Sequence, residues 1–205
     1  MNFSSLTDFL LLIPTVLIVI TAHEYAHGAA AYLLGDNTAK RAGRLTLNPI
    51  KHIDWIGLIL LVTAGFGWAK PVPIHPGYFK NPKRGMALTA LAGPAANILL
   101  AFAAAFAIAL WRPAGLAQSF LTAFFQCNCA LAMFNFLPIP PLDGFKIAGA
   151  FLPDAWYFRV MRYERYGMIL MILLLYTGIL TPVLSQGVRN LMVAILRAVS
   201  LTGLL

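Results

Sequence analysis

Long apolar runs alternate with short polar segments along this chain of 205 residues. The first run extends from about Leu6 to Leu34. At about 1.5 Å of rise per residue it crosses a hydrocarbon layer of about 30 Å with margin. Gly35-Asp36-Asn37 closes it with turn residues. From 38 to 48 polar and apolar positions alternate, which predicts a short strand or β-hairpin at the membrane edge. The run from Ile53 to Phe66 is apolar but too short to span comfortably, so it predicts a re-entrant or buried segment. A Pro/Gly-rich loop follows from Gly65 to Pro82 and contains Lys70-Pro71-Val72-Pro73-Ile74-His75-Pro76-Gly77. Further spans are predicted at Gly85 to Trp111 and at Leu116 to Leu137. Pro138-Ile139-Pro140-Pro141 breaks the latter, and Leu142-Asp143-Gly144 leads into a half-helix ending near Leu152. A fourth span is predicted at Tyr166 to Leu180. The last stretch, Val183 to Leu204, carries Arg189 and Arg197 and is either a fifth span or an interfacial helix. The pattern predicts an all-α polytopic membrane protein. It is a bundle of about four to six transmembrane helices, with a short β-hairpin and a re-entrant segment near the cytoplasmic face. It shows no internal repeat.

Composition agrees. The chain is 60% hydrophobic and 11% charged, whereas soluble domains lie near half apolar and a quarter charged. The length suits a single membrane-embedded domain over residues 1–205, with a core at 6–152 and C-terminal helices at 153–205. No cleavable signal peptide is expected, because the first run lacks a basic leader and itself carries the candidate chemistry.

The net charge of +8 would suggest nucleic acid in a soluble protein. Here the cations sit between apolar runs, so they are topology signals and no nucleic-acid partner is expected. Lys40, Arg41, Arg44, Lys51, Lys70, Lys80, Lys83 and Arg84 fall in one segment, and Lys146, Arg159, Arg162 and Arg165 in another. The positive-inside rule places both in the cytoplasm and the N-terminus outside. That requires the 53–66 segment to return to the side it entered. The expected location is a prokaryotic cell (inner) membrane, with the candidate site toward the cytoplasm. Trp156, Tyr163 and Tyr166 are expected interface anchors. Cys127 and Cys129 stand two apart in an apolar run, so no disulfide is expected.

The candidate chemistry lies in His23-Glu24-Tyr25-Ala26-His27. On a helix, residues four apart share a face. Two imidazoles so placed can bind one Zn²⁺, with the glutamate between them as general base. The bare motif is modestly specific, but here it sits inside an apolar span, where ionisable groups are costly and mark function. The bland reading is a polar patch for helix packing. Catalytic zinc usually takes three protein ligands. Asp8, His52, Asp54 and His75 lie near span ends or in loops. Asp143 follows the proline-broken span, the kind of irregular backbone tolerated where it lines a cavity. Its alternative role is a helix cap.

Together these residues resemble the site-2 protease family of intramembrane metalloproteases. The resemblance rests on three blocks: His23 to His27 with Gly28 and Leu33-Leu34-Gly35-Asp36, Gly93-Pro94-Ala95-Ala96-Asn97, and Asn135 through Asp143-Gly144. It implies that His23, His27 and Asp143 bind one zinc ion and that Glu24 is the catalytic base. It places Asn97 near the site, either holding a substrate strand or polarising the oxyanion. The alternative for Asn97 is an interhelical hydrogen bond. Asn128 and Asn135, seven apart, share a helix face and either glue that helix to its neighbours or bind substrate backbone. Asn48-Pro49-Ile50-Lys51-His52-Ile53-Asp54 also resembles a block of small family members, with His52 either a gate or second-layer residue or a surface-turn histidine. His75 is expected to be a surface histidine.

The resemblance implies a minimal member, lacking an added regulatory module and a span ahead of the zinc-binding helix. The expected activity is hydrolysis of peptide bonds in transmembrane protein or peptide substrates, with the lipid bilayer as the other partner. An unwound substrate could add as a strand to residues 38–48. The rivals are a zinc-binding transporter and a non-proteolytic scaffold that holds membrane partners. The sequence does not set the oligomeric state.

Overall fold

The computed structural model describes residues 6–64 and 67–203. Gly65, Phe66 and Leu204, at the ends of two expected segments, lie outside these, as do the side chains of Asp8 and Arg165.

Helix α1 (Leu6–Leu33) is the first long element. Gly35, at φ +104°, turns the chain out of it in a conformation that favours glycine. A four-residue turn, α2 (Thr38–Arg41), follows directly. Here the structure corrects the sequence reading. The described residues contain no strand, and 38–48 is a helical turn with bends rather than a β-hairpin. The local reason is Asp36, whose carboxylate accepts the Thr38 backbone N–H at 2.8 Å and the Thr38 hydroxyl. That bonding starts a helical turn where the alternating pattern suggested a strand. The expected strand addition at 38–48 therefore has no strand to join.

Asp36 is fully buried and also accepts the His75 backbone N–H at 2.7 Å. It thus pins the 67–75 loop to the end of α1. Burial pushes its carboxyl pKa up, but the hydrogen bonds from His75 and Thr38 outweigh this and hold it below the ordinary range. A lowered folded-state pKa gives stability that is present above the unfolded value of about 4 and is lost as pH falls through the folded one. Asp36→Asn is therefore expected to melt below wild type at neutral pH, with the difference closing as pH drops below about 4. Detergent-phase melting curves across pH measure this. A constant gap would show that the carboxylate charge contributes nothing.

A 3₁₀ turn (Pro49–His52), capped by Asn48, precedes α3 (Trp55–Ala64). Helix α3 has ten residues, too few to cross a bilayer. The chain doubles back after it. A Cβ on Gly57 would strike the backbone of Trp68, so only glycine allows that approach.

Helices α4 (Pro82–Trp111) and α5 (Gly115–Asn135) form the centre of the bundle, and α1 packs on both. Ala101, Ala104, Ala105 and Ala109 of α4 are buried against Phe125 and Cys129 of α5. Such small side chains let helices approach closely where lipid supplies no hydrophobic drive between them. Cys127 and Cys129 are buried and free.

Beyond the proline run come α6 (Asp143–Gly149), α7 (Asp154–Met161), a 3₁₀ turn (Arg162–Tyr166), α8 (Gly167–Tyr176) and α9 (Leu180–Ser200). The expected fourth span at 166–180 is not one continuous helix. Helix α8 is only ten residues long, and the chain bends by 89° into α9. Gly178, at φ +70°, makes that bend. Ile195 and Val199 of α9 complete the alanine-rich core.

Among the described residues, three helices are long and apolar enough to cross a membrane, or four if the bent pair counts as one span. The expected four to six is met only at its lower bound, and only on that count. The protein is an integral membrane protein, all-helical over the described residues.

Candidate metal centre

Helix α1 presents His23 and His27 one turn apart, facing α4 and the start of α6. Both rings are buried, as is Asp143, the first residue of α6. Their ligand atoms form a small triangle. His27 Nε2 lies 3.0 Å from His23 Nε2. Asp143 Oδ2 lies 3.2 Å from His23 Nε2 and 3.1 Å from His27 Nε2. Tetrahedral zinc with bonds of about 2.0–2.1 Å would separate its ligand atoms by about 3.3–3.4 Å. The triangle is close to that size.

Hydrogen bonding supports the same fit. His27 Nδ1 lies 2.7 Å from the Thr89 carbonyl, and His23 Nδ1 lies 2.6 Å from Asn97 Oδ1. A carbonyl oxygen only accepts, so His27 carries its proton on Nδ1 and turns the Nε2 lone pair into the triangle. Asp143 Oδ2 is buried and has no hydrogen-bond partner among the described residues. Electron-rich atoms that converge in a buried space repel one another unless a cation lies between them. Two imidazoles and a carboxylate suit zinc.

Two glycines make room. A Cβ on Gly93 of α4 would strike both histidine rings. A Cβ on Gly144 would strike the carbonyls of Phe136 and Leu137, so the proline-rich loop can lie directly on the first turn of α6. The loop includes a cis Pro140-Pro141 bond. Lys83 of α4 binds the Leu152 carbonyl beyond the end of α6 and pairs with Asp154 at 3.1 Å. The helix carrying Asp143 is thereby tied to the helix that backs the histidines.

The triangle opens into a cleft of about 150 Å³. Glu24 lines it, and its Oε2 accepts the Val72 backbone N–H at 2.8 Å. Lys70 N–H donates to the His52 carbonyl, and Arg44 donates to the Lys70 carbonyl at 2.6 Å, which holds that loop in place. Asn135 also lines the cleft, with its side-chain nitrogen donating to the Leu131 carbonyl. Lys146 lines the same cleft and pairs with Glu164 at 3.2 Å.

The three asparagines named from sequence therefore part company. Asn135 faces the cleft. Asn97 and Asn128 are fully buried behind His23, bonded to each other at 2.9 Å. His52 is buried rather than on a surface turn, with its Nε2 at 2.9 Å from the Thr46 carbonyl, and it does not line the cleft. His75 is exposed against Tyr78. Sequence reasoning gave no role at the site to Thr89 or Val72, and took Lys146 only as a topology signal. Thr89, Gly93 and Asn97 recur at intervals of four along α4, a periodicity that marks one face. Contacts made by the backbone of Thr89 and Val72 leave no such trace.

Comparison with known proteins places this site in context. The family model of peptidase family M50 matches residues 111–178, the segment carrying Asn128, Asn135 and Asp143. YwhC of Bacillus subtilis is 40% identical over 189 residues, covering 86% of this chain and 86% of YwhC. Rip2 of Mycolicibacterium smegmatis is 30% identical over 190 residues, covering 87% of this chain and 70% of Rip2. MJ0611 of Methanocaldococcus jannaschii is 36% identical over 94 residues, covering 45% of this chain and 48% of MJ0611. Each of the three bears the name "putative zinc metalloprotease". No solved structure matches the chain.

Proposed function

The chain belongs to peptidase family M50, the site-2 protease family, and from that premise we propose that it is a zinc endopeptidase that cuts transmembrane segments within the bilayer. Its relatives support zinc use and metalloprotease activity. The observation that carries the finer reading is the placement of the site. His23, Glu24 and His27 lie on a helix long and apolar enough to cross a membrane, and Asp143 of α6 meets the two histidines there. His27 is six residues before the end of α1, about 9 Å along the helix axis. A site set in from the end of a membrane-length helix supports cleavage within the bilayer.

In this reading His23, His27 and Asp143 hold one zinc per chain. When bound, zinc acidifies a water molecule and polarises the scissile carbonyl. Glu24 takes the water's proton and passes it to the leaving amine. The Val72 N–H fixes one carboxylate oxygen of Glu24 and so orients the base across the cleft. Asn135 binds the backbone of an unwound substrate at the cleft wall.

Residues 1–205 act as one membrane-embedded domain in a prokaryotic cell membrane. The N-terminus is outside and the cleft opens toward the cytoplasm. The cations of residues 40–84 lie beyond the α1 end nearest the site, which supports that orientation.

Metal removal tests the reading. A chelator is expected to stop cleavage of single-span membrane proteins by the purified chain in detergent, and zinc alone to restore it. A chain that holds zinc yet cuts none of a broad substrate panel would favour the transport or scaffold reading.

A further inference from the structure

We infer that Asn128 is a positioning residue for the metal centre. Acting through Asn97, it fixes the tautomer and orientation of His23 and so sets how tightly the zinc is held. This rests on the zinc reading above and goes beyond it, since Asn128 touches neither the ligand triangle nor the cleft.

The direction of every hydrogen bond in this chain is fixed from its far end. Asn128 Nδ2 lies 2.8 Å from the Phe124 carbonyl. That oxygen accepts and cannot donate, so the amide nitrogen must face it and Oδ1 must face Asn97. Asn97 Nδ2 then donates to Asn128 Oδ1 at 2.9 Å, with the Val19 carbonyl at 3.4 Å on the same nitrogen. Both partners of that nitrogen are acceptors, so Asn97 Oδ1 is the atom turned to His23 Nδ1, 2.6 Å away. An amide oxygen carries no proton. His23 must therefore bear its own on Nδ1, which leaves Nε2 free to face His27 and Asp143.

Flipping either amide would oppose like groups at two or more of these contacts. Asn97 and Asn128 are both fully buried, so water cannot relieve the mismatch. The relay joins α5 to α4 to α1.

The two histidines are thus held differently. His27 bonds directly to a main-chain carbonyl, that of Thr89, which no side-chain substitution removes. His23 depends on two side chains in series. Partners behind a zinc-bound histidine typically change metal affinity about 10–100-fold when lost. Asn128 is the remote end of such an arrangement.

The test is zinc affinity, measured by chelator competition on the full chain in detergent. Asn128→Leu keeps volume but removes both the donor to Phe124 and the acceptor for Asn97. It is expected to weaken zinc binding about 10–100-fold. Asn128→Ala carries the same expectation if the leucine variant does not fold. Cys129→Ala, at the neighbouring and equally buried position, is expected to leave affinity unchanged.

A second background separates positioning from packing. In Asn97→Asp either carboxylate oxygen can accept from His23, so the relay is no longer needed. Adding Asn128→Leu there is expected to change zinc affinity less than threefold, a non-additive result. Equal losses in both backgrounds, or no loss in the wild-type background, would overturn the relay while leaving the zinc reading intact. A wild-type chain that takes up no zinc would overturn both.

Discussion

Glu24→Gln is expected to lower the cleavage rate by about 10²–10⁴-fold, the usual contribution of a positioned general base. Zinc content is expected to stay at the wild-type level. The two outcomes separate because Glu24 lines the cleft but lies outside the ligand triangle. Glutamine has the same length and still offers an oxygen to the Val72 N–H, so the loop that glutamate holds should stay in place. What glutamine lacks is the capacity to take a proton near neutral pH. Turnover and bound zinc, measured on the same preparation, check both halves. A variant that keeps wild-type turnover would remove Glu24 from the chemistry. A variant that loses zinc would mean its role is structural.

Gly93→Ala is expected to remove most of the zinc and leave the bundle standing. Alanine is favoured over glycine in a helix interior by about 1 kcal/mol, so α4 itself should gain. The added Cβ, however, would occupy the space of the His23 and His27 rings on the side where their Nε2 atoms converge. The rings must swing away, and the triangle of 3.0–3.2 Å contacts opens. Zinc affinity should fall at least about 10–100-fold, comparable with loss of a supporting partner. Metal analysis after dialysis and a melting curve report the two effects independently. Wild-type affinity in this variant would place the rings elsewhere than against Gly93.

Much of the architecture could be read from the chain because its signals are local. The apolar runs at α1, α4 and α5 predicted helices of nearly the observed extent. The proline run marked where α5 ends and Asp143 begins a new helix. The spacing of His23 and His27 put both on one face, and the structure brings Asp143 to them.

Elsewhere the sequence misled for identifiable reasons. Alternation over 38–48 looked like a strand, but the Asp36 carboxylate organises the chain into a helical turn instead. Continuous hydropathy through 166–180 hid the break at Gly178 that separates α8 from α9. The Asn128–Asn97–His23 connection joins three helices far apart in sequence, and no spacing within one helix announces it. The bond from Val72 to Glu24 is made by a backbone N–H and is written in no side chain.

The most direct measurement of the central claim is where the substrate is cut. The zinc-loaded chain, reconstituted into vesicles with single-span membrane proteins, should give fragments whose new ends map by mass spectrometry to the interior of the apolar span. Those ends should lie in its cytoplasmic half, near the depth of His23 and His27. Cleavage confined to the soluble tails would contradict intramembrane proteolysis, as would intact substrates across the whole panel in the presence of a fully zinc-loaded chain.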